Sequence, residues 1–211
     1  MKPERILVFD AEIFRAIATK PDERERYDEM GIQYVTDWNA FSEMGIACLC
    51  APTLAECLNA KDGAALYREA MFFTGQTIGN IEYYFNQFDF FVSYNGVSFD
   101  WKLLNANGCY PDPEKHYDLA NEVKRLTRKL RPPKMDDLAG ANNLPRKTGS
   151  GAMAPVMWQQ GKQREVIEYC FSDCIVLAHL FQRVLERGSL QNPYTGQLIQ
   201  LPSPLQGRRL F

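Results

Sequence analysis

The amino-acid sequence predicts a single domain of the α/β class. Short apolar runs of strand length alternate with longer segments in which apolar residues recur at helical spacing. At 211 residues the chain is long enough to bury one core, and no Gly/Ser-rich or charge-rich linker divides it. We therefore expect one domain over residues 1–187, with an insertion at about 14–43, and a C-terminal arm or hairpin over 188–211.

The first two apolar runs, residues 6–11 and 45–51, are short enough for core strands, and we expect them to pair. The insertion between them is longer than an ordinary hairpin loop. It carries a charged stretch and the aromatic residues Tyr27, Tyr34, Trp38 and Phe41. Two interpretations remain open: the insertion contacts the substrate directly, or it is a solvated segment held down by its aromatic side chains.

The rest of the sequence continues the alternation of helices and strands. Apolar residues at helical spacing over 78–85 precede a third predicted strand at 88–92. Asp100 follows that strand at the start of a predicted helix, where the helix macrodipole favours an anion. Further helices are predicted at residues 118–130, 135–141 and 162–187.

The composition excludes some classes of protein. The formal net charge is −2, so overall charge does not indicate a nucleic-acid-binding protein, although a local groove can still be basic. No apolar run reaches the roughly 18 residues of a membrane span, and the first residues do not resemble a secretory signal. We expect a soluble cytoplasmic protein without membrane contacts.

The six cysteines lie in apolar or mixed segments, and without an export signal we expect them to be reduced. Cys48 and Cys50 alternate in a predicted strand, and Cys170 and Cys174 lie four residues apart in a predicted helix. Neither spacing matches a paired zinc motif. Buried small apolar side chains are therefore favoured over a zinc site.

Four acids occur in apolar surroundings: Asp10, Glu12, Asp100 and Asp173. A single acid that loses its hydration usually becomes neutral by raising its pKa, whereas several acids together favour bound cations. Carboxylate oxygens suit hard divalent ions, and two such ions can act on both the attacking and the leaving oxygen of phosphoryl transfer. The sequence therefore predicts a site for two Mg²⁺ or Mn²⁺ ions that supports phosphodiester cleavage.

Tyr169 and Asp173 lie four residues apart, on one face of the last predicted helix. This spacing can place the phenol near water held by an ion. The alternative interpretation is an ordinary surface pair joined by a hydrogen bond.

A basic stretch follows the predicted helix start at Asp118. Its six positive residues are Lys124, Arg125, Arg128, Lys129, Arg131 and Lys134. It is either a surface that follows a phosphate backbone, with Lys124 and Arg128 as candidate contacts, or the solvated face of a helix.

Taken in order, three motifs resemble those of the DEDD superfamily of 3′–5′ exonucleases, in its tyrosine branch, which has a DnaQ-like fold. The first is Asp10-Ala-Glu12 after a strand, and the third is Tyr169 followed by Asp173. The second, from Asn95 to Asp100, has the form typical of the exonuclease domains of family B DNA polymerases. The resemblance implies a ribonuclease-H-like fold, with a central mixed β-sheet flanked by α-helices.

The resemblance also implies roles for particular residues. The four acids would bind two divalent ions, and Tyr169 would orient the attacking water, so that the enzyme releases nucleoside 5′-monophosphates. Asn95 and Phe99 would line the pocket of the terminal nucleotide. Ile13 stands where the family usually has a small hydroxyl residue, and it is a candidate substrate contact together with Phe14.

The expected partner is a nucleic acid with a free 3′ end. DNA is favoured over RNA and single strands over duplexes, and replication or repair proteins are candidate partners. Three alternatives remain: a 3′–5′ exoribonuclease, a catalytically inactive nucleic-acid-binding module on the same fold, and a structure-selective endonuclease.

Overall fold

The computed structural model describes residues 2–146 and 151–204. The strands are β1 Ile6–Val8, β2 Asp10–Ile13, β3 Ala16–Ile17, β4 Tyr34–Val35, β5 Ile46–Cys50, β6 Phe72–Thr74, β7 Phe90–Ser93, β8 His116–Asp118, β9 Ser189–Gln191 and β10 Leu198–Gln200. The helices are α1 Pro21–Glu29, α2 Phe41–Met44, α3 Leu54–Asn59, α4 Gly63–Glu69, α5 Ile81–Phe85, α6 Asp100–Ala106, α7 Leu119–Thr127, α8 Met135–Ala141, α9 Ala154–Gln159 and α10 Gln163–Arg187.

The central strands form the mixed arrangement that was expected. Parallel pairing joins β1 to β7 and β7 to β8, whereas antiparallel pairing joins β2 to β5 and β5 to β6. The backbone N–H of Phe9, between β1 and β2, donates to the carbonyl of Val92 at 3.0 Å. The expected mixed α/β architecture is thereby confirmed.

The predicted pairing of the first two apolar runs is correct only for the second half of the first run. Asp10 pairs with Cys50 and Glu12 with Cys48, but residues 6–8 pair with β7 instead. Pro52 follows β5 and has no backbone N–H to continue the ladder. Its carbonyl still accepts a hydrogen bond from the N–H of Val8 at 2.9 Å.

Helix α10 supplies most of one side of the core. It is 25 residues long, and its buried residues pack against β2, β5 and helices α3, α4 and α9. A second apolar cluster, around Phe9, Phe85 and Phe91, forms the opposite side under α5 and α6. The sheet therefore lies between two apolar layers, as the alternating pattern predicts.

The insertion is ordered and fastened to α9. Strands β3 and β4 pair in parallel, with helix α1 between them. The Gln159 side-chain amide donates to the carbonyls of Phe14 and Gln33, at 2.9 and 3.0 Å, and accepts from the backbone N–H of Gln33 at 2.7 Å. One glutamine of α9 thus binds the backbone just before each of the two strands.

Strands β9 and β10 form an antiparallel hairpin, one of the two forms expected for the C-terminal segment. Asn142 holds it to α8, because its side chain exchanges two hydrogen bonds with the backbone of Gln191. Residues 205–211 of the expected arm lie outside the described residues. No helix among the described residues is long and apolar enough to cross a membrane.

Candidate active site

Strand β2 presents two acids on one face, because alternate residues of a strand point the same way. Asp10 opens the strand and is partly exposed, whereas Glu12 is only 8% exposed. The face they share is the one covered by α10, which packs on β2. Glu12 therefore has little access to water.

Asp100 reaches the same site from the other side of the sheet. It is the first residue of α6 and is buried, and its Oδ1 accepts a hydrogen bond from the backbone N–H of Ala11 at 3.1 Å. Ala11 lies between the two acids of β2. This bond fixes the carboxylate of Asp100 next to the strand that carries Asp10 and Glu12.

Helix α10 contributes the remaining candidate residues. Asp173 is buried, and it is hydrogen-bonded to the side chain of Tyr169 one turn earlier. One carboxylate oxygen from each of Asp10, Glu12 and Asp173 lies within 4.8 Å of the others. Three acids separated by up to 163 positions, from residue 10 to residue 173, thus surround one small volume, and Asp100 lies next to them on the N–H of Ala11.

The electrostatics of the cluster reflect burial and like charge. Burial raises the pKa of Glu12 well above its ordinary value, and the neighbouring negative charge of Asp10 adds to the effect. Burial also raises the pKa of Asp100 to about 7, although backbone hydrogen bonds oppose that shift. The same two causes, burial and the charge of Asp173, raise the pKa of the Tyr169 hydroxyl, which is therefore protonated at neutral pH.

The donor set fits divalent cations. Converging carboxylate oxygens are the ligands that Mg²⁺ and Mn²⁺ prefer, and a cation would offset the burial and the like charge that raise the pKa of Glu12. Asp10, Glu12 and Asp173 are placed to share an ion. Asp100 is positioned beside them by Ala11.

A cavity of about 460 Å³ opens next to Glu12. Part of its wall is the insertion, which contributes Tyr27 and Trp38, and part is Phe99. The side chain of Trp38 is 58% exposed, so its ring is available to a ligand. Direct substrate contact by the insertion stays a prediction, with Trp38 as its exposed candidate, while the buried Tyr27 holds the insertion down.

The other predicted substrate-binding residues have different surroundings. Ile13 lines the cavity with Phe99, but Phe14 is not among the cavity's described lining residues and packs against the core on the α10 side. Asn95 is exposed, in a left-handed conformation with φ 64°.

Lys124 and Arg128 are exposed at the far end of α7, about 9 and 15 Å along the helix axis from Asp118. Neither residue is among the described residues that line the cavity next to Glu12. That end of α7 lies against the C-terminal hairpin instead.

Asp118 is a buried acid to which sequence reasoning assigned no role beyond the start of a helix. Its carboxylate accepts from the backbone N–H groups of Asn95, Val97 and Asn121, at 2.8, 2.9 and 3.0 Å. It therefore caps α7 and at the same time holds the loop that leads into Asp100. An Asp at a helix start is a common cap, so the sequence carried no signal for the second task.

Comparison with known proteins confirms the expected ribonuclease-H-like fold. The family model RNase_H_2, described as RNase_H superfamily, matches residues 67–185, a range that includes Asp100, Tyr169 and Asp173. No curated protein sequence matches the chain.

Among solved structures, the family B DNA polymerase from the hyperthermophilic archaeon Pyrobaculum calidifontis is similar in fold, with a TM-score of 0.58 and 16% sequence identity. The match covers 87% of this chain and 25% of the polymerase, so the chain spans about a quarter of that protein's length.

Proposed function

The chain belongs to the ribonuclease H superfamily, and on this basis we propose that it is a metal-dependent 3′–5′ exonuclease. Members of this superfamily are usually phosphodiester hydrolases that use divalent metal ions, and their substrates are nucleic acids. The proposed substrate is DNA with a single-stranded 3′ end, which the enzyme shortens stepwise to nucleoside 5′-monophosphates.

One observation carries the proposal: three segments of the chain converge on one cluster of acids. Asp10, Glu12 and Asp173 have carboxylate oxygens within 4.8 Å of one another, and the N–H of Ala11 holds Asp100 beside them. Burial, and after it the negative charge of Asp10, raise the pKa of Glu12. Divalent cations bound among these carboxylates would favour their ionised forms.

Asp10, Glu12, Asp100 and Asp173 would together hold two divalent ions. Bound there, the ions would lower the pKa of the attacking water and stabilise the departing 3′-oxygen. The buried sides of Glu12 and Asp100 keep bulk water away, which strengthens every charge interaction in the site.

Tyr169 positions the attacking water. Because burial and the charge of Asp173 raise the pKa of its hydroxyl, the phenol stays protonated and is not the general base. Its hydrogen bond to Asp173 fixes the direction of the ring. The hydroxyl oxygen can then accept a hydrogen bond from water and orient it toward the scissile phosphorus.

Two features favour single-stranded DNA. The aromatic side chains of Tyr27, Trp38 and Phe99 line the cavity beside Glu12, and unpaired bases stack on such rings. The second motif, Asn95 to Asp100, has the form typical of exonuclease domains of family B DNA polymerases, and the protein of similar fold is such a polymerase.

The test is degradation of 5′-labelled single-stranded DNA and RNA with Mn²⁺, comparing wild type, Asp10→Ala and Glu186→Ala. Glu186 is a matched control, since it is an exposed acid on the same helix as Asp173 and about 20 Å further along the axis. We expect a stepwise ladder from the wild type and from Glu186→Ala, and no ladder from Asp10→Ala.

Other outcomes would replace the proposal with one of its alternatives. A ladder on RNA alone would indicate an exoribonuclease, and internal fragments or cleavage of circular DNA would indicate an endonuclease. Binding of labelled DNA without degradation, under Mg²⁺ and Mn²⁺ alike, would indicate a binding module.

A further inference from the structure

Three buried thiols lie directly beside the candidate active site. Cys48, Cys50 and Cys170 have sulfur atoms within 4.8 Å of one another, and each residue is fully buried. All three are free thiols. We call these residues the thiol cluster.

The position of the thiol cluster follows from strand register. Cys48 and Cys50 alternate on β5 and so share a face. In the ladder they stand opposite Glu12 and Asp10, which places the thiols one strand away from the acids on the face that α10 covers. Cys170 comes from α10, directly after Tyr169.

Asp10 touches both groups. The thiol of Cys170 lies 3.2 Å from the Asp10 carbonyl oxygen and 3.5 Å from its carboxylate Oδ2. The same residue contributes a carboxylate oxygen to the cluster with Glu12 and Asp173. Asp10 can therefore serve as a ligand on either side, and turning its carboxylate toward the thiols would weaken its contact with ions held by Glu12 and Asp173.

The spacing fits a tetrahedral metal ion. With Zn–S of about 2.3 Å and Zn–O of about 2.0 Å, tetrahedral ligands lie about 3.8 Å apart for two sulfurs and about 3.5 Å apart for sulfur and oxygen. The distance of 3.5 Å between the Cys170 sulfur and Oδ2 of Asp10 matches the second value for that pair, and the carboxylate would turn toward Cys48 and Cys50 to complete the site. The thiols need to move by no more than about 1 Å to meet the first, given their 4.8 Å limit.

We propose that Cys48, Cys50 and Cys170 bind a thiophilic divalent ion such as Zn²⁺, with the carboxylate of Asp10 as the fourth ligand. The three thiols release their protons as the ion binds, so that three thiolates and one carboxylate surround it. Soft sulfur ligands select such ions, whereas the oxygen-only site selects Mg²⁺ or Mn²⁺. Loading the thiol cluster withdraws Asp10 from the catalytic ions and inhibits the nuclease.

The proposed Zn²⁺ site goes beyond the proposed nuclease function. Only the inhibition of the nuclease by Zn²⁺ rests on that function. The two parts need separate measurements. The first is X-ray absorption at the zinc edge of the wild-type protein loaded with one equivalent of Zn²⁺ under a non-thiol reductant. We expect three sulfur ligands and one oxygen ligand; a shell of oxygen or nitrogen alone, or fewer than three sulfurs, would overturn the site.

Variants then assign the ligands. Cys48→Ser and Cys170→Ser should each weaken Zn²⁺ binding in calorimetric titration by at least about tenfold. Cys57→Ser is the matched control, because Cys57 is equally buried in the same core cluster but is not one of the three clustered thiols. Equal affinity in all three variants would contradict the assignment. Since the absorption experiment uses the wild type, it stands even if a variant fails to fold.

The inhibitory effect is measured as a ratio of rates. For each protein, Mn²⁺-dependent degradation of single-stranded DNA is compared with and without one equivalent of Zn²⁺. We expect strong inhibition in wild type and Cys57→Ser, and weaker inhibition in Cys48→Ser. Equal inhibition in all three would place the inhibiting ion elsewhere and refute the coupling through Asp10.

Discussion

The backbone N–H of Ala11 donates a hydrogen bond to Oδ1 of Asp100 at 3.1 Å, across a sequence separation of 89 residues. Ala11 lies between the two acids of β2, so this bond places the start of α6 at the acid cluster. The bond also stabilises the ionised form of Asp100. Burial outweighs that effect and raises the pKa to about 7.

The pKa of Asp100 predicts a pH dependence of stability in the absence of divalent ions. Between its ordinary value of 3.8 and about 7, folded Asp100 keeps a proton that the unfolded chain has released. Stability contributed by this group therefore falls as pH rises through that window. Asp100→Asn removes the titration and still offers an oxygen to Ala11.

Urea unfolding with a chelator present measures this effect. The free energy of unfolding of Asp100→Asn, minus that of wild type, should increase from about pH 4 to about pH 7 and then level off. For Glu186→Gln the same difference should be constant. A difference for Asp100→Asn that does not vary with pH would contradict the raised pKa.

Asp118→Ala should be strongly destabilising. The change leaves three backbone N–H groups without their carboxylate acceptor, and two of them belong to the loop before Asp100. Hydrogen bonds to a charged group contribute about 1.5–3 kcal/mol each, and these three are partly buried, so we expect a loss of about 3 kcal/mol or more in urea unfolding.

The matched control is Asp62→Ala, because Asp62 is also a helix N-cap but is exposed and accepts one such bond. It should cost about 1 kcal/mol. Equal costs for the two substitutions would mean that Asp118 acts only as a cap.

Tyr169→Phe should lower the rate of DNA degradation while leaving metal binding intact. The hydroxyl orients water in the proposed mechanism and is not among the candidate ligands. We expect kcat to fall about a hundredfold. The increase in Tm produced by Mn²⁺ should match that of wild type. Tyr194→Phe, which alters an exposed tyrosine, should change neither quantity.

Trp38→Ala should weaken the binding of single-stranded DNA without affecting the fold. The side chain is 58% exposed, so little packing is lost, but its ring lines the cavity beside Glu12. Stacking of a base on an aromatic ring contributes about 1–3 kcal/mol, which corresponds to roughly 5- to 150-fold in Kd. Fluorescence anisotropy measures the change, with Tyr83→Ala as the exposed aromatic control. An unchanged Kd would mean that the insertion does not contact the substrate.

The spacing of apolar residues along the sequence was enough to predict some of the helices. The bounds of α8 agree with the sequence prediction, and α10 begins one residue later than predicted, because apolar spacing and polar flanks mark both helices. The split of the first apolar run at Phe9 was not predictable in this way. The second half begins with an acid, Asp10, but neither half shows which strand it will pair with, because the partner depends on Pro52 and on distant β7.

The candidate site, too, could be predicted from the sequence only in part. The acids could be identified from their apolar surroundings. The contacts that position them involve backbone groups such as the N–H of Ala11, and the residue types do not predict such contacts. Gln159 is a further example, because its three bonds to the insertion arise only when α9 is in place. The thiol cluster was likewise hidden, since its members come from a strand and a helix more than a hundred residues apart.

The central claim is that the four acids hold two catalytic ions. Anomalous diffraction at the manganese edge, from crystals grown with Mn²⁺ and a short single-stranded oligonucleotide, tests it most directly. For the wild type we predict two manganese peaks among Asp10, Glu12, Asp100 and Asp173, and the loss of at least one peak in Asp10→Asn. Absence of manganese from this cluster in the wild type, or two peaks that persist unchanged in Asp10→Asn, would contradict the claim.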